Sequence, residues 1–503
     1  MKNIWRIIKS GSDIRGVASE NSFGEPIELT NEVVEKIFLA FSCWIARKTK
    51  LKYRDITVAV GHDSRNSASR IKNVCINTLR SVGINVYDCA MVSTPAMFMA
   101  TSVLECTAAV EITASHLPSH KNGFKFFVPE GGLSGEDISE ILSLAENGVA
   151  PSPDIQGNVR LVKLKDYYCE KLKNIIKEGI NSLENYDKPL SGFKIVVDAG
   201  NGAGGFFAND ILKPLGANVQ GSVFLEPDGS FPNHIPNPED ANAMQSIINT
   251  TVNSEADLGI IFDTDVDRAA FVDSSGMSID KNRLIALAAT TIVEKSSNAI
   301  VVTDSITSDY LRDFIKNLGG SQFRYKRGYN NVINMAKQIN KKGAFCPLAI
   351  ETSGHAAFKE NGFIDDGAYL ACKIIIKMVN LAAENKTIKD ELENLIEAKE
   401  SKTFRVPINN DNPHQYAQNI LKEFEQYVSR SKNVFYDKEN IEGVRAYCEN
   451  KHQQGWLNLR ESLHEPQLVL YIESYVSGGL KNILSFVNSF LNNYDSVSKV
   501  SLD

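Results

Sequence analysis

Apolar runs of strand length recur along the chain, each ending in aspartate, glycine or a small polar residue. Ile56-Thr57-Val58-Ala59-Val60-Gly61-His62-Asp63, Lys194-Ile195-Val196-Val197-Asp198 and Ala299-Ile300-Val301-Val302-Thr303-Asp304 each read as a buried strand opening into a loop. A helix-like segment follows each of them and stops at Gly83, Gly216 or Gly319. A further strand then begins at Ile84-Asn85-Val86, Ala217-Asn218-Val219 or Ser321-Gln322-Phe323. Farther along each copy another apolar run enters a polar loop: Ala108 to Ile112 into Thr113-Ala114-Ser115-His116, Leu258 to Phe262 into Asp263-Thr264-Asp265-Val266-Asp267-Arg268, and Leu348 to Ile350 into Glu351-Thr352-Ser353-Gly354-His355. The pattern predicts three copies of one α/β unit, with loops at equivalent strand ends converging on one cleft, as ligand loops of open α/β sheets do. After about residue 401 it gives way to a smaller, strand-rich α+β tail. The fold class expected is therefore α/β: three similar mixed-sheet α/β domains over residues 1–150, 151–280 and 281–400, plus a smaller α+β domain over 401–503, around a central cleft. Pro151, Ser152 and Pro153 read as the linker between the first two domains.

Length supports several cores rather than one, since 503 residues exceed what a single core holds. A formal charge of −7, from 54 basic and 61 acidic residues, gives no bulk attraction for nucleic acid or an anionic membrane. Anionic ligands need local arginine and lysine clusters instead. The eight cysteines lie scattered, without a C-x-x-C pair, and read as reduced structural thiols. The basic N-terminus is not followed by an apolar signal core, and no run approaches a membrane span, so a cytoplasmic protein is expected.

The polar loops carry the candidate chemistry. Asp263, Asp265 and Asp267 stand at alternate positions on a loop leaving a buried strand. Carboxylates this close repel unless a hard cation such as Mg²⁺ neutralises them, although a solvated acidic turn has the same spelling. Arg268 adds a planar cationic fork beside them. Ser115, on a tight loop, can carry phosphate whose charge His116, Lys125 and a metal offset; an ordinary serine turn before Pro118 is the plain reading. Lys125 is a candidate general acid or base, or a solvated charge. Glu351 and Ser353 offer an acceptor and a donor suited to vicinal hydroxyls, or make a structural turn. Lys326 and Arg327 are phosphate contacts or a surface patch, and Asp365 and Asp366 read as caps of the following helix. Arg460, Ser462 and His464, with the loop amides, could hold a phosphate.

Taken together and in order, these loops resemble the alpha-D-phosphohexomutase superfamily, its phosphoglucomutase and phosphomannomutase branch in particular. Asp13-Ile14-Arg15-Gly16 resembles the family's N-terminal motif, Thr113 to Pro118 its phosphoserine loop, Asp263 to Arg268 its metal loop, Glu351 to His355 its sugar loop and Arg460 to Pro466 its phosphate loop. Asp198 to Gly204 and Asp228 to Pro238 are similar to further family signatures.

The resemblance implies reversible phosphoryl transfer between C1 and C6 of glucose or mannose phosphates, through a phosphorylated Ser115 and a hexose 1,6-bisphosphate that also serves as activator. It implies Mg²⁺ held by Asp263, Asp265, Asp267 and an oxygen on Ser115, with catalytic roles for Ser115, Lys125, His355 and Arg268. Arg15, Lys326, Glu351, Ser353, Arg460, Ser462 and His464 would bind substrate. Partners would be small hexose phosphates, with no nucleic acid and no membrane; oligomeric state is left open. Departures are Leu117 for a common Asn, Thr264 for Gly, Leu463-His464 for Gly-Thr and Ser12 for Tyr, none of which removes a ligand, the nucleophile or an arginine. A phosphoglucosamine mutase is the enzymatic alternative, and a silent sugar-phosphate sensor the alternative of another class.

Overall fold

A computed structural model of the chain describes residues 4–149, 155–293, 296, 298–451, 454–462, 465–498 and 500–502. The chain forms two compact units, one from residues 1–291 and 353–392, the other from 292–352 and 393–503. The expected linker at Pro151, Ser152 and Pro153 lies outside the described residues.

The first unit opens with a mixed sheet whose parallel centre is Ala108–Ile112, Thr57–His62 and Asn85–Met91, with Lys121–Val128 antiparallel beside Ala108–Ile112. Strand periodicity splits its faces. Ala108, Val110, Ile112, Phe124 and Phe126 join one core with the helix Asn31–Thr49, whereas Glu111 and Lys125 leave the opposite face. That helix buries Val34, Ile37, Phe38, Phe41, Trp44 and Ile45 at three- and four-residue spacing. Thr30 caps its start by accepting from Val33 N at 3.3 Å, and Lys50, at φ 61°, ends it. Phe38 meets Phe124 edge-on at 5.0 Å and Phe41 meets Phe126 at 4.8 Å, ring pairs worth about 0.5–1.5 kcal/mol each beyond their burial. The aromatic face thus anchors the strand and leaves Lys125 directed away from that core.

The second sheet pairs Ile195–Asp198 parallel with Leu258–Phe262, followed by antiparallel Ala269–Asp273 and Ser278–Ile279. Here the repeat is looser than expected. The segment after Asp198 forms only a short π-helical turn over Phe207–Leu212, and Ala217 to Val219 makes an isolated bridge, Lys194 to Asn218, instead of a strand. In the second unit Ser321–Arg324, Ile300–Thr303 and Leu348–Ile350 run parallel, as the pattern predicts. The C-terminal domain is a five-stranded antiparallel sheet in the order Glu400–Pro407, Gln467–Ser474, Gly455–Glu461, Val444–Cys448 and Val434–Tyr436. Helices Pro413–Ser429 and Gly479–Leu491 share its core. Three α/β sheets and a smaller α+β domain are thus present. All eight cysteines are free thiols, and no helix among the described residues is long and apolar enough to cross a membrane.

One ion pair braces the second domain. His234 Nε2 lies 3.0 Å from both oxygens of Asp198, while Nδ1 lies 2.9 Å from the Ile235 carbonyl. Both nitrogens face acceptors, which favours the doubly protonated ring. Burial works against that charge, but Asp198 outweighs it and holds the His234 pKa above its ordinary value. A raised folded-state pKa stabilises below the unfolded value near 6.5, and the gain is lost as pH rises through the folded value. Thermal unfolding should therefore show a loss of stability on the alkaline side of that window which His234→Gln abolishes; identical pH profiles would refute the pairing.

Candidate active site

Ser115 follows the carboxyl end of Ala108–Ile112, is 1 % exposed and sits on left-handed backbone at φ 50°. A buried arginine that sequence reasoning missed holds this loop. Arg65 Nη1 donates to the carbonyls of Pro118 at 2.7 Å and Lys121 at 2.8 Å. Its Nη2 donates to those of Ser115 at 2.5 Å and Leu117 at 2.6 Å. Asp63 balances its charge, accepting from Arg65 Nε at 3.2 Å and Arg65 N at 2.9 Å; burial pushes this carboxyl up to about 6, with Arg65 opposing. The turn at Asp228-Gly229 presses on the segment that carries Arg65 so closely that a Cβ on Gly229 would stand 2.3 Å from Asn66 N.

The aspartate loop follows the carboxyl end of Leu258–Phe262 and meets the serine loop directly. Ser115 Oγ donates to Asp263 Oδ2 at 3.0 Å. Val266 takes φ 67°, a strained conformation for a β-branched residue, of order 1–3 kcal/mol, tolerated where surrounding contacts impose it. Asp263, Asp265 and Asp267 are at most 1 % exposed, and each offers an oxygen within 4.8 Å of the others. Burial and the two neighbouring carboxylates push Asp263 well above the carboxylate range. Burial opposes ionisation of Asp267 too, but Lys125, His355 and Arg268 outweigh it and hold that group below its ordinary value. Among the described residues Asp265 Oδ1 and Asp267 Oδ1 find no hydrogen-bond partner. Convergent buried carboxylate oxygens with unused acceptor capacity fit a hard divalent cation. Lys125 Nζ bonds Asp265 Oδ2 at 2.9 Å and also Asp267 Oδ2, so in this arrangement it is an ammonium donor, and Thr94 Oγ1 donates to Asp265 Oδ2 at 2.5 Å.

One guanidinium and two imidazoles stand beside Ser115 and Asp263. Arg268 Nη2 lies 3.0 Å from His116 Nδ1 and Arg268 Nε donates to His355 Nε2 at 2.9 Å. Burial, then Arg268 and Arg15, hold His116 well below its ordinary pKa, so its ring is neutral. His355 Nδ1 lies 2.5 Å from Asp365 Oδ2. Asp365 thus faces the His355 ring rather than capping the following helix as expected. Asp366 does cap Gly367–Ala383, accepting from Tyr369 N at 2.8 Å. Gly354 is required here: its φ is 98°, and a Cβ would meet the Ala269 carbonyl at 2.8 Å. Arg15 Nη2 pairs with Asp13 at 2.8 Å, and Ser353 is buried in the same unit.

Lys326, Glu351, Arg460 and Ser462 belong to the second unit, and His464 lies outside the described residues. Glu351 Oε1 accepts from Gly328 N at 2.6 Å, and Glu442, another residue the motif reading missed, accepts from Arg327 N at 3.1 Å. Arg460 is 6 % exposed, and among the described residues its Nε has no partner. Burial lowers its pKa and Arg327 adds to the effect, while Glu442, Asp304 and Glu351 oppose it. Ser462 N donates to the Gln467 carbonyl at 2.9 Å, and Lys326 is exposed. Arg65 and Glu442 had no motif to announce them; their only signal was a charged residue next to a strand, after Thr57–His62 for the first and before Val444–Cys448 for the second.

Comparison with known proteins places this geometry. Residues 6–150, 166–276 and 280–398 match the alpha/beta/alpha domains I, II and III of the phosphoglucomutase/phosphomannomutase family. A phosphoglucomutase of Neisseria meningitidis is 30% identical over 486 residues, 96% of each chain. A probable phosphoglucosamine mutase of Methanosphaera stadtmanae is 29% identical, covering 98% of this chain and all of its own. The crystal structure of a phosphoglucomutase/phosphomannomutase family protein from Burkholderia thailandensis superimposes with a TM-score of 0.79 at 25% identity, covering 98% of both chains.

Proposed function

The chain belongs to the phosphoglucomutase/phosphomannomutase family, and on that premise we propose that it moves phosphate reversibly between C1 and C6 of glucose or mannose phosphates through phosphorylated Ser115 and a hexose 1,6-bisphosphate. One observation carries the reading: a buried serine hydroxyl held on Asp263 of a three-carboxylate cluster, with the Arg268 guanidinium beside it. Asp263, Asp265, Asp267 and an oxygen on Ser115 would hold Mg²⁺, which when bound supplies positive charge against the phosphoryl oxygens.

The residues of the chain then divide the work. In the transfer a sugar hydroxyl oxygen bonds to phosphorus as the bond to Ser115 Oγ breaks, and the reverse transfer uses the other hydroxyl after the bisphosphate turns round. Arg268 stabilises charge that spreads over the phosphoryl oxygens, from a position fixed before the reaction. Lys125, an ammonium beside the aspartates, donates a proton to an oxygen leaving phosphorus and recovers it from the attacking hydroxyl. His355 has both ring nitrogens engaged, by Arg268 and Asp365, and in this arrangement it steadies Arg268. Glu351 and Ser353 would orient sugar hydroxyls, while Arg15, Lys326, Arg460, Ser462 and His464 would bind the phosphate away from the reaction.

A phosphoglucosamine mutase is the second reading, favoured by the Methanosphaera relative of that name. The test is turnover of glucose 1-phosphate, mannose 1-phosphate and glucosamine 1-phosphate with Mg²⁺ and a trace of glucose 1,6-bisphosphate. The expected result is the highest kcat/KM on glucose or mannose phosphate. Preference for the amino sugar transfers the assignment to the second reading, and no turnover of any sugar leaves a binding protein.

A further inference from the structure

Glu111 lies in the strand Ala108–Ile112, and the mutase reading gives it nothing to do. It is fully buried, and among the described residues neither carboxyl oxygen finds a hydrogen-bond partner. Its carboxyl lies close over Gly61, whose missing side chain leaves the room: a Cβ built there would meet Glu111 Oε2 at 2.8 Å, and the Val92 methyl and the Met97 sulfur each at 2.6 Å. The charged groups facing it are Asp63 from the loop after Thr57–His62, Asp265 from the aspartate loop and Lys125 from the neighbouring strand. Burial, then Asp63 and Asp265, push its pKa well above the ordinary value against the smaller pull of Lys125. A carboxyl this deeply buried, with neither oxygen hydrogen-bonded among the described residues, favours its protonated form.

Glu111 and Lys125 are direct partners across the antiparallel pair, so both side chains leave the same face with Cβ atoms about 5 Å apart. The Lys125 ammonium is nevertheless bonded to Asp265 Oδ2 and Asp267 Oδ2, oxygens that belong to the candidate metal cluster. A divalent cation bound through the same oxygens displaces the ammonium, because the two cations repel in a buried site.

We propose that Glu111 is the second counter-ion of Lys125: when a divalent cation takes Asp265 and Asp267, the ammonium crosses to Glu111, and Glu111 gives up its proton. The O–H bond of Glu111 breaks with its electron pair left on the carboxylate, the proton goes to solvent, and Lys125 keeps its three. Metal loading is thereby coupled to proton release and to the position of the candidate acid–base lysine. The inference rests on the divalent-metal reading of the aspartate cluster.

Calorimetric titration of the metal-free chain with MgCl₂, at one pH in two buffers of different ionisation enthalpy, counts the protons released. The native chain is expected to release about one proton more per cation than Glu111→Gln or Glu111→Leu. Its affinity is expected to rise roughly tenfold more per pH unit than theirs on the acid side of the Glu111 pKa. Gln keeps the shape of an uncharged acid and Leu suits the apolar wall, so at least one variant should retain the native circular dichroism. Equal proton release in the native chain and a folded variant overturns the proposal. Failure of the native chain to bind Mg²⁺ or Mn²⁺ overturns the metal reading and the proposal with it, and no variant is then needed.

Discussion

Ser115→Ala is expected to lower turnover of hexose 1-phosphate by at least about 10⁴-fold, the scale of removing a residue that forms the covalent intermediate. The hydroxyl is the acceptor of the proposed phosphoryl group, and no other hydroxyl is bonded to Asp263 among the described residues. Alanine removes the hydrogen bond to Asp263 and the longer 3.4 Å one to His116 Nδ1, so stability should stay within about 2 kcal/mol of the native chain. Because the three aspartates are untouched, divalent-cation binding should persist. Steady-state kinetics, with intact mass measured after incubation with glucose 1,6-bisphosphate, provides the check. Native turnover by the variant, or an unchanged phosphoryl mass on it, would remove Ser115 from the mechanism.

Arg65→Met should be the most damaging change away from the reacting atoms, with about 3–5 kcal/mol of stability lost. Three effects add. Asp63 becomes a buried acid without its counter-ion, four carbonyls between Ser115 and Lys121 lose their donor, and the cation 5.3 Å above the Phe231 ring disappears. Since Arg65 also fixes the left-handed backbone at Ser115, the surviving folded fraction should lose most of its turnover. Combining Asp63→Asn with Arg65→Met should restore part of the stability by removing the stranded carboxyl, but little turnover, because the four carbonyls still lack the guanidinium that ties them together. Urea unfolding of both variants separates these contributions; a loss under about 1 kcal/mol for Arg65→Met would show that the loop holds itself.

Several features were legible from the chain alone because their causes are local. Alternating and continuous apolar runs specify strands, and the loops after Ile112 and Phe262 place Ser115 and the three aspartates where short motifs announced them. The expectation was weaker in the second repeat. There Phe207–Leu212 forms only a π-helical turn and Ala217 to Val219 no strand, because the glycine-rich stretch Gly200 to Gly205 follows the strand where helix propensity would be needed.

Asp365 illustrates a different limit. Local spelling made both it and Asp366 helix caps, but a carboxylate takes whichever partner tertiary packing brings nearest. For Asp366 that was the Tyr369 amide, and for Asp365 it was the ring of His355. Arg65 and Glu111 lie further still from sequence logic. The first bonds carbonyls some fifty residues away, and the second gains its significance only from its cross-strand register with Lys125. The sequence by itself determined the strands, the strand-end loops and the close spacing of the three aspartates, since these follow from periodicity and short spacing. The tertiary structure decided which buried charges face one another, because desolvation and pairing depend on neighbours that only folding brings within a few ångströms.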